Sequence, residues 1–240
     1  MRQSSSFLPL ALLWAVVIGN GQALHAKEVV YQSGSMQLTG HLFTPRGTGP
    51  FPAVIYLHGG RGPIVGGNPE ATAEALAKSG FVGFAPIRRK ELTLKGNAQD
   101  VIAAINYVKN LKDVDADRLA IIGFSRGGLL AFMASTRQRD LKAIVLLGPA
   151  EGQGTLRRFL AGADNVTAPT LTLVAENDIS QQDHVSISRQ IHTALKNAGK
   201  QPRLIVYPPY EHDGHRLFFE VRPTYWHDVE KFLKSHLGEK

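Results

Sequence analysis

From Lys27 onward the apolar positions alternate between two spacings. "KEVVYQSGSMQLTGHLFTP" predicts two strands around a Ser-Gly turn, followed by the Gly/Pro-rich connection "TPRGTGPFP". "AVIYLHGG" is a continuous apolar run ending in glycines, the mark of a strand buried on both faces. In "NPEATAEALAKSG" the spacing becomes helical, with Asn68 ahead of Pro69 at the start and Gly80 at the end. The alternation repeats through strand "FVGFAPI", helix "NAQDVIAAINYVKNL", strand "RLAIIGF", helix "GGLLAFMASTRQ" and strand "KAIVLLG". A looser segment around "TLRRFLAG" precedes strand "PTLTLVA", helix "HVSISRQIHTALKNAG", strand "RLIVYPP" and the closing helix "PTYWHDVEKFLKSHL". Strands and helices in this order predict an α/β fold, a mostly parallel eight-stranded sheet with helices on both faces. No repeat, low-complexity tract or linker divides residues 27–240, which read as a single domain.

One junction in this pattern carries chemistry. The strand "RLAIIGF" runs straight into Ser125, and a helix starts at once behind it. So sharp a turn strains the serine backbone and needs small residues two positions to either side, which are Gly123 and Gly127. This G-x-S-x-G spacing, with Phe124 and Arg126 as its variable residues, lifts a hydroxyl above the sheet. It also aims the first N–H groups of the next helix at developing negative charge.

A serine becomes a nucleophile when a base takes its proton and an acid holds that base in the right tautomer. In such folds the chain order is serine, acid, histidine, each just past a strand. "PTLTLVA" is followed by Asp178 and, less well placed, Glu176; "RLIVYPP" is followed by His212 and His215. His215 is the better base, because apolar Leu217 and Phe218 anchor its loop to the core while His212 follows Tyr210 toward solvent. An oxyanion needs two N–H donors: that of Arg126 and one from "HGGRG", either Gly60 or Arg61. His58 in that loop reads as a brace rather than a reactant.

Composition narrows the setting. Of the 240 residues 43% are apolar and 20% charged, which excludes disorder as the main state. The absence of cysteine excludes disulfides, thiol nucleophiles and cysteine-bound metals. The net charge of +7 owes only Arg2 to the first 26 residues, and its cations are scattered, with no nucleic-acid-binding module around them. "MRQSSSFLPLALLWAVVIGNGQALHAKE" has the layout of a secretory signal peptide: a basic residue, an apolar stretch from Phe7 to Ile18, then small residues. Cleavage after Ala26 or Ala23 fits this layout, and the apolar stretch is shorter than the ~20 residues of a membrane span. The expectation is loss of residues 1–26, no stable membrane insertion, and a periplasmic or secreted protein.

Together, "HGGRG", "GFSRGG", "AEND" and "PPYEHDGHRLF", in this order and spacing, resemble the α/β-hydrolase superfamily and, within it, the dienelactone hydrolase-like group. The resemblance covers essentially the whole chain after the leader. It implies an α/β-hydrolase fold with Ser125 as nucleophile, His215 as base, Asp178 as acid, and an oxyanion hole from the Gly60 and Arg126 backbones. The hydrolases that name the group use cysteine, which this chain lacks. The implied enzyme is therefore a serine hydrolase: first a carboxylic-ester hydrolase on a small or medium substrate, second a peptidase. Such acyl transfer requires no metal or cofactor. A lipase would want an apolar lid, and only "PAEGQGTLRRFLAGADNVTA" stands where many relatives insert one, so the site should be open. A non-catalytic binding protein on the same scaffold is the remaining alternative. Arg88 and Arg89, just past "FVGFAPI", should share the sheet edge of Ser125, and with Arg61 they are candidates to hold an anionic substrate group.

Overall fold

The computed structural model describes residues 25–238. The expected leader, residues 1–26, lies outside them except for the backbone of its last two residues, which opens the first strand. β1 (His25–Ser33) and β2 (Met36–Thr44) form a hairpin closed at Gly34, where φ is +62°. The alternation then runs β3 (Phe51–Leu57), α1 (Pro69–Lys78), β4 (Val82–Pro86), α2 (Leu94–Lys109), β5 (Val114–Phe124) and α3 (Arg126–Ser135). It continues β6 (Ala143–Leu147), α4 (Thr155–Leu160), β7 (Thr170–Ala175), α5 (His184–Asn197), β8 (Arg203–Tyr207) and α6 (Pro223–Leu237).

One eight-stranded sheet results, in the order β1-β2-β4-β3-β5-β6-β7-β8. β1, β2 and β4 pair antiparallel in sequence, and every pair from β4 to β8 is parallel. Every residue of β3, β4, β6 and β7 is buried, which is why these strands read as unbroken apolar runs. Alternate side chains serve opposite layers. Ala53, Ile55 and Leu57 pack with α2, α3 and α5, whereas Val54 and Tyr56 pack with α1 and α6. Each fully buried side chain of this size contributes roughly 1.5–3 kcal/mol.

Two boundaries differ from the apolar pattern. α2 starts at Leu94 rather than Asn97, because the Thr93 hydroxyl accepts the Gly96 N–H at 3.3 Å and caps a first turn that a glycine would otherwise weaken. β5 starts at Val114, ahead of Arg118, its register with β3 shifting between Phe51 and Ala53. The looser segment before β7 contains α4 and a single 3-10 turn (Ala163–Asn165), so no large lid covers the sheet edge.

The strand order sets where a site can form. The chain goes from β3 outward to β4 on one side, then returns to place β5 on the other side of β3. A crevice opens at such a reversal, at the carboxyl ends of the two strands, and the loops after β3 and β5 line it. The turn after β5 is held by contacts that only glycine permits. A Cβ on Gly123 would overlap the Gly127 carbonyl, and one on Gly127 would overlap the Leu57 carbonyl at the end of β3. Between them Ser125 takes φ 53° and ψ −117°, with its N–H bonded to the Leu147 carbonyl at 2.9 Å. We predict that Gly127→Ala lowers stability by about 3 kcal/mol or more, since backbone rather than a pliable side chain must give way. Thermal melts would show it; an unchanged melting temperature would mean that α3 can retreat from β3 at little cost.

Candidate active site

Three strand ends deliver the residues singled out by spacing. Ser125 stands at the turn from β5 to α3, and its carbonyl accepts the N–H of Leu129 and of Ala150, at 3.1 and 3.0 Å. Asp178 lies three residues past β7, fully buried. His215 sits in a 3-10 turn (Gly214–Phe218) after β8, anchored by buried Leu217 and Phe218 and capped by the Asp213 side chain on its own N–H at 3.1 Å. His215 Nδ1 meets both oxygens of Asp178 at 3.0 Å. The carboxylate can only accept, so Nδ1 carries the proton and Nε2 is left as the acceptor. Gly148, with φ +47°, makes room for this pair: a Cβ there would fall 2.8 Å from Asp178 Oδ2 and 3.2 Å from His215 Nδ1. No hydrogen bond closes between Ser125 Oγ and the ring, although both residues line the same cavity; such links often tighten only with substrate bound. Glu176 and His212, the weaker candidates, are exposed.

A second histidine belongs to the cluster and went unread in the sequence. His184 opens α5, is buried, and stacks on His215 with ring centroids 4.3 Å apart and planes 26° apart. Its Nδ1 donates to the Pro149 carbonyl at 3.0 Å, and its Nε2 stands 3.8 Å from Asp178 Oδ1 without a hydrogen bond. Burial, and then the neighbouring His215, hold it below the ordinary histidine range, so it is neutral. A histidine at a helix start after the acid loop was the available signal, but no spacing rule marks a stacking partner. Asp178, His184 and His215 bring ligand atoms within 4.8 Å of one another. Because the rings stack, one ion at bonding distance would lie well out of at least one ring plane. The trio suits a hydrogen-bonded pair with a packed neighbour better than a metal.

The loop after β3 abuts the turn at Ser125. A Cβ on Gly59 would fall 3.2 Å from that of Ser125. Gly59 N–H is spent on the Gly66 carbonyl at 2.8 Å, whereas Gly60 and Arg61 donate no backbone hydrogen bond among the described residues. Gly60 takes φ +79°, where a Cβ would strike the Ile64 carbonyl. His58 is buried and braces the loop: Nδ1 donates to the Gly59 carbonyl at 2.6 Å, and Nε2 accepts the Arg88 N–H at 3.3 Å. Burial, reinforced by the Arg88 charge, lowers its pKa to about 3.

The structure does not bring Arg88 and Arg89 to the substrate side, contrary to expectation. Arg88 turns inward and is buried, its guanidinium on the carbonyls of His58, Gly59 and Gly60. Arg89 pairs with buried Asp100 through two nitrogens, at 2.9 and 2.8 Å, and reaches Ser33 Oγ at 3.2 Å. Both donors are consumed by the protein. Arg61 instead lines the crevice and is exposed, its guanidinium without a hydrogen bond or ion pair among the described residues. The Arg126 side chain lines it too, tied to Asn97 Oδ1 at 3.0 Å and to the Leu92 carbonyl at 2.7 Å. The crevice measures about 1030 Å³ and mixes apolar Leu92, Leu94 and Phe219 with these cations.

A profile of the dienelactone hydrolase family matches residues 38–216, which contain the serine turn, Asp178 and His215. The chain belongs to the dienelactone hydrolase family. A candidate carboxymethylenebutenolidase of Yersinia pestis is 29% identical over 231 residues, 84% of this chain and 82% of its own length. Among solved structures, a candidate dienelactone hydrolase of Klebsiella pneumoniae superposes with a TM-score of 0.71 at 23% identity, covering 91% of this chain and all of that one. The acylaminoacyl peptidase of Pyrococcus horikoshii reaches 0.72 at 17% identity over 91% of this chain and 43% of its own. At these identities the two structures show the α/β-hydrolase fold. As a dienelactone hydrolase family member the chain is a hydrolase.

The buried rings of this dienelactone hydrolase family chain set an acid limit. Unfolded histidines take protons as the pH falls through about 6.5, while His58 resists until about 3. The stabilisation is complete above the unfolded value and is lost as the pH falls between the two. Each such proton costs up to ~1.4 kcal/mol per pH unit. Urea unfolding from pH 7.5 to 4.5 should show that loss, and His58→Gln, which cannot titrate, should show a shallower one. Parallel acid limbs would place the titration elsewhere.

Proposed function

We propose that this hydrolase is a serine carboxylic-ester hydrolase working through Ser125, His215 and Asp178. The observation that carries the reading is the Asp178 carboxylate, fully buried and holding His215 Nδ1 by both oxygens, beside a serine in left-handed backbone on the same crevice. A buried carboxylate in that position fixes the tautomer and stabilises the imidazolium that forms when the ring accepts the serine proton. Ser125 Oγ attacks the ester carbonyl, its proton passes to His215 Nε2, and the carbonyl oxygen becomes an oxyanion. The N–H of Arg126, with that of Gly60 or Arg61, receives the oxyanion. His215 returns the proton to the departing alkoxide, and water then repeats the cycle on the acyl-serine to release the acid. The open crevice, without a large lid, fits a small or medium ester. The leader-like residues 1–26 support a periplasmic or secreted place of action.

A fluorophosphonate tests the reading, since Ser125 Oγ would displace fluoride at phosphorus. Peptide mapping should find one adduct, on Ser125. It should vanish in Ser125→Ala, form ~10³-fold or more slowly in His215→Ala, and be unchanged in the exposed His212→Ala. A folded wild type that stays unlabelled would remove the reading in favour of a binding protein. Matched ester and anilide substrates separate the esterase from the peptidase, with faster turnover of the ester expected.

The two cations that line the crevice suggest the substrate's charge. Burial, and then the Arg61 charge, lower the pKa of Arg126, so the two guanidinium groups repel across the crevice mouth. An anionic group between them would relieve that repulsion. Arg61→Ala should therefore lower kcat/KM for a carboxylate-bearing ester about tenfold more than for a neutral ester of equal size. Equal losses on both substrates would remove Arg61 from anion binding.

A further inference from the structure

Arg88 is buried at the catalytic edge, yet nothing in the acyl-transfer scheme uses it. We propose that Arg88 is the positioning residue of the oxyanion hole: its guanidinium holds the carbonyls after β3 inward, so that the N–H groups of the same peptides face Ser125. The inference rests on the serine-hydrolase reading.

In a trans peptide the C=O of one residue and the N–H of the next point in opposite directions. Arg88 Nη2 donates to the Gly59 carbonyl at 3.1 Å and to the Gly60 carbonyl at 3.4 Å, and Nη1 donates to the His58 carbonyl. The Gly59 carbonyl shares its peptide with the Gly60 N–H, and the Gly60 carbonyl with that of Arg61. Neither of these two N–H groups has a backbone acceptor, and both residues line the crevice with Ser125 and Arg126. The peptide before them behaves differently: the His58 carbonyl is gripped, while the Gly59 N–H is spent on the Gly66 carbonyl at 2.8 Å. Gripping the carbonyls from behind therefore selects which face of each peptide the crevice meets.

Such a grip is needed because the loop is built from residues that resist flipping poorly. Gly60 already sits at φ +79°, and glycine crosses between conformations at little cost. A flipped peptide would present a carbonyl to the developing oxyanion and repel it. His58 strengthens the grip from the other side, donating to the Gly59 carbonyl and accepting the backbone N–H of Arg88 itself. Burial lowers the pKa of Arg88 to about 10, so the group stays charged at neutral pH. Its carboxylate neighbour Asp100 is engaged by Arg89, which leaves backbone carbonyls as the acceptors of the Arg88 charge. A cation on a carbonyl polarises the amide and makes its N–H a stronger donor.

The test compares wild type with Arg88→Lys, Arg88→Met and, as a control for a purely structural arginine, Arg89→Lys. Two probes are read: the rate of fluorophosphonate labelling at Ser125, and kcat and KM for p-nitrophenyl acetate. An ammonium cannot span the carbonyls, so Arg88→Lys should slow labelling and lower kcat ~10²-fold at nearly constant KM, with a larger loss in Arg88→Met. Arg89→Lys should lower the melting temperature while labelling at the wild-type rate. Folded Arg88 variants that label within twofold of wild type, or a loss confined to KM, would overturn the inference. If neither variant folds, the crystal structure of the wild-type adduct decides. A phosphoryl oxygen bonded to Arg126 N–H and to Gly60 or Arg61 N–H supports the inference, and one turned away from that loop overturns it. An unlabelled wild type would sink the serine-hydrolase reading and this inference with it, whereas indifferent Arg88 variants in a reactive protein sink the inference alone.

Discussion

The candidate site depends on how closely the start of α3 approaches the end of β3. At Gly127 the helix backbone lies against the Leu57 carbonyl, nearer than any side chain would allow. That approach bends the chain through a left-handed Ser125 and brings the loop after β3 against the serine. It also occurs where the winding of the sheet reverses, so the two loops line one crevice instead of being separated by an intervening strand. Backbone proximity between two parallel neighbours thus supplies the posture of Ser125 and its surroundings together.

A second constraint acts from the far side of the crevice. Asp178 has no exposure, and a buried charge is tolerable only when strongly partnered. His215 supplies the hydrogen bonds, and the ring is kept in place by packing: His184 stacks on it, and Phe124 lies 4.7 Å away. Phe124 occupies a variable position of the serine turn, so the residue that leads into Ser125 also wedges His215. Nδ1 then has one partner and Nε2 one remaining direction, the ordering that the proposed general base would require.

Much of this was legible in the amino-acid order. Strands buried on both faces announce themselves as apolar runs, and β3, β4, β6 and β7 are such runs. The glycines around Ser125 are legible because a backbone clash leaves no alternative residue. The pairing of Asp178 with His215 follows from chain order and strand ends. What spacing cannot convey is the direction of a long side chain. Arg88 and Arg89 do stand at the carboxyl edge, yet each side chain turned to the nearest unsatisfied acceptor, the loop carbonyls for one and Asp100 for the other. His184 escaped for a related reason, since its contact is a ring face, and faces leave no periodic trace.

The arginines of this edge are of three kinds. A guanidinium has five N–H donors in a rigid fork, and what it can do for a ligand depends on how many are unspent. Arg88 and Arg89 direct theirs into backbone and buried carboxylate, so neither presents an open fork to a ligand. Arg126 is intermediate: its side chain bonds Asn97 and the Leu92 carbonyl, while its N–H at the first turn of α3 has no intrahelical acceptor. Arg61 is wholly open. From Arg88 through Arg126 to Arg61, the guanidinium donors pass from spent on the protein to open toward the crevice. On the proposed acyl transfer, the positive groups nearest Ser125 would favour the charge formed at the carbonyl oxygen.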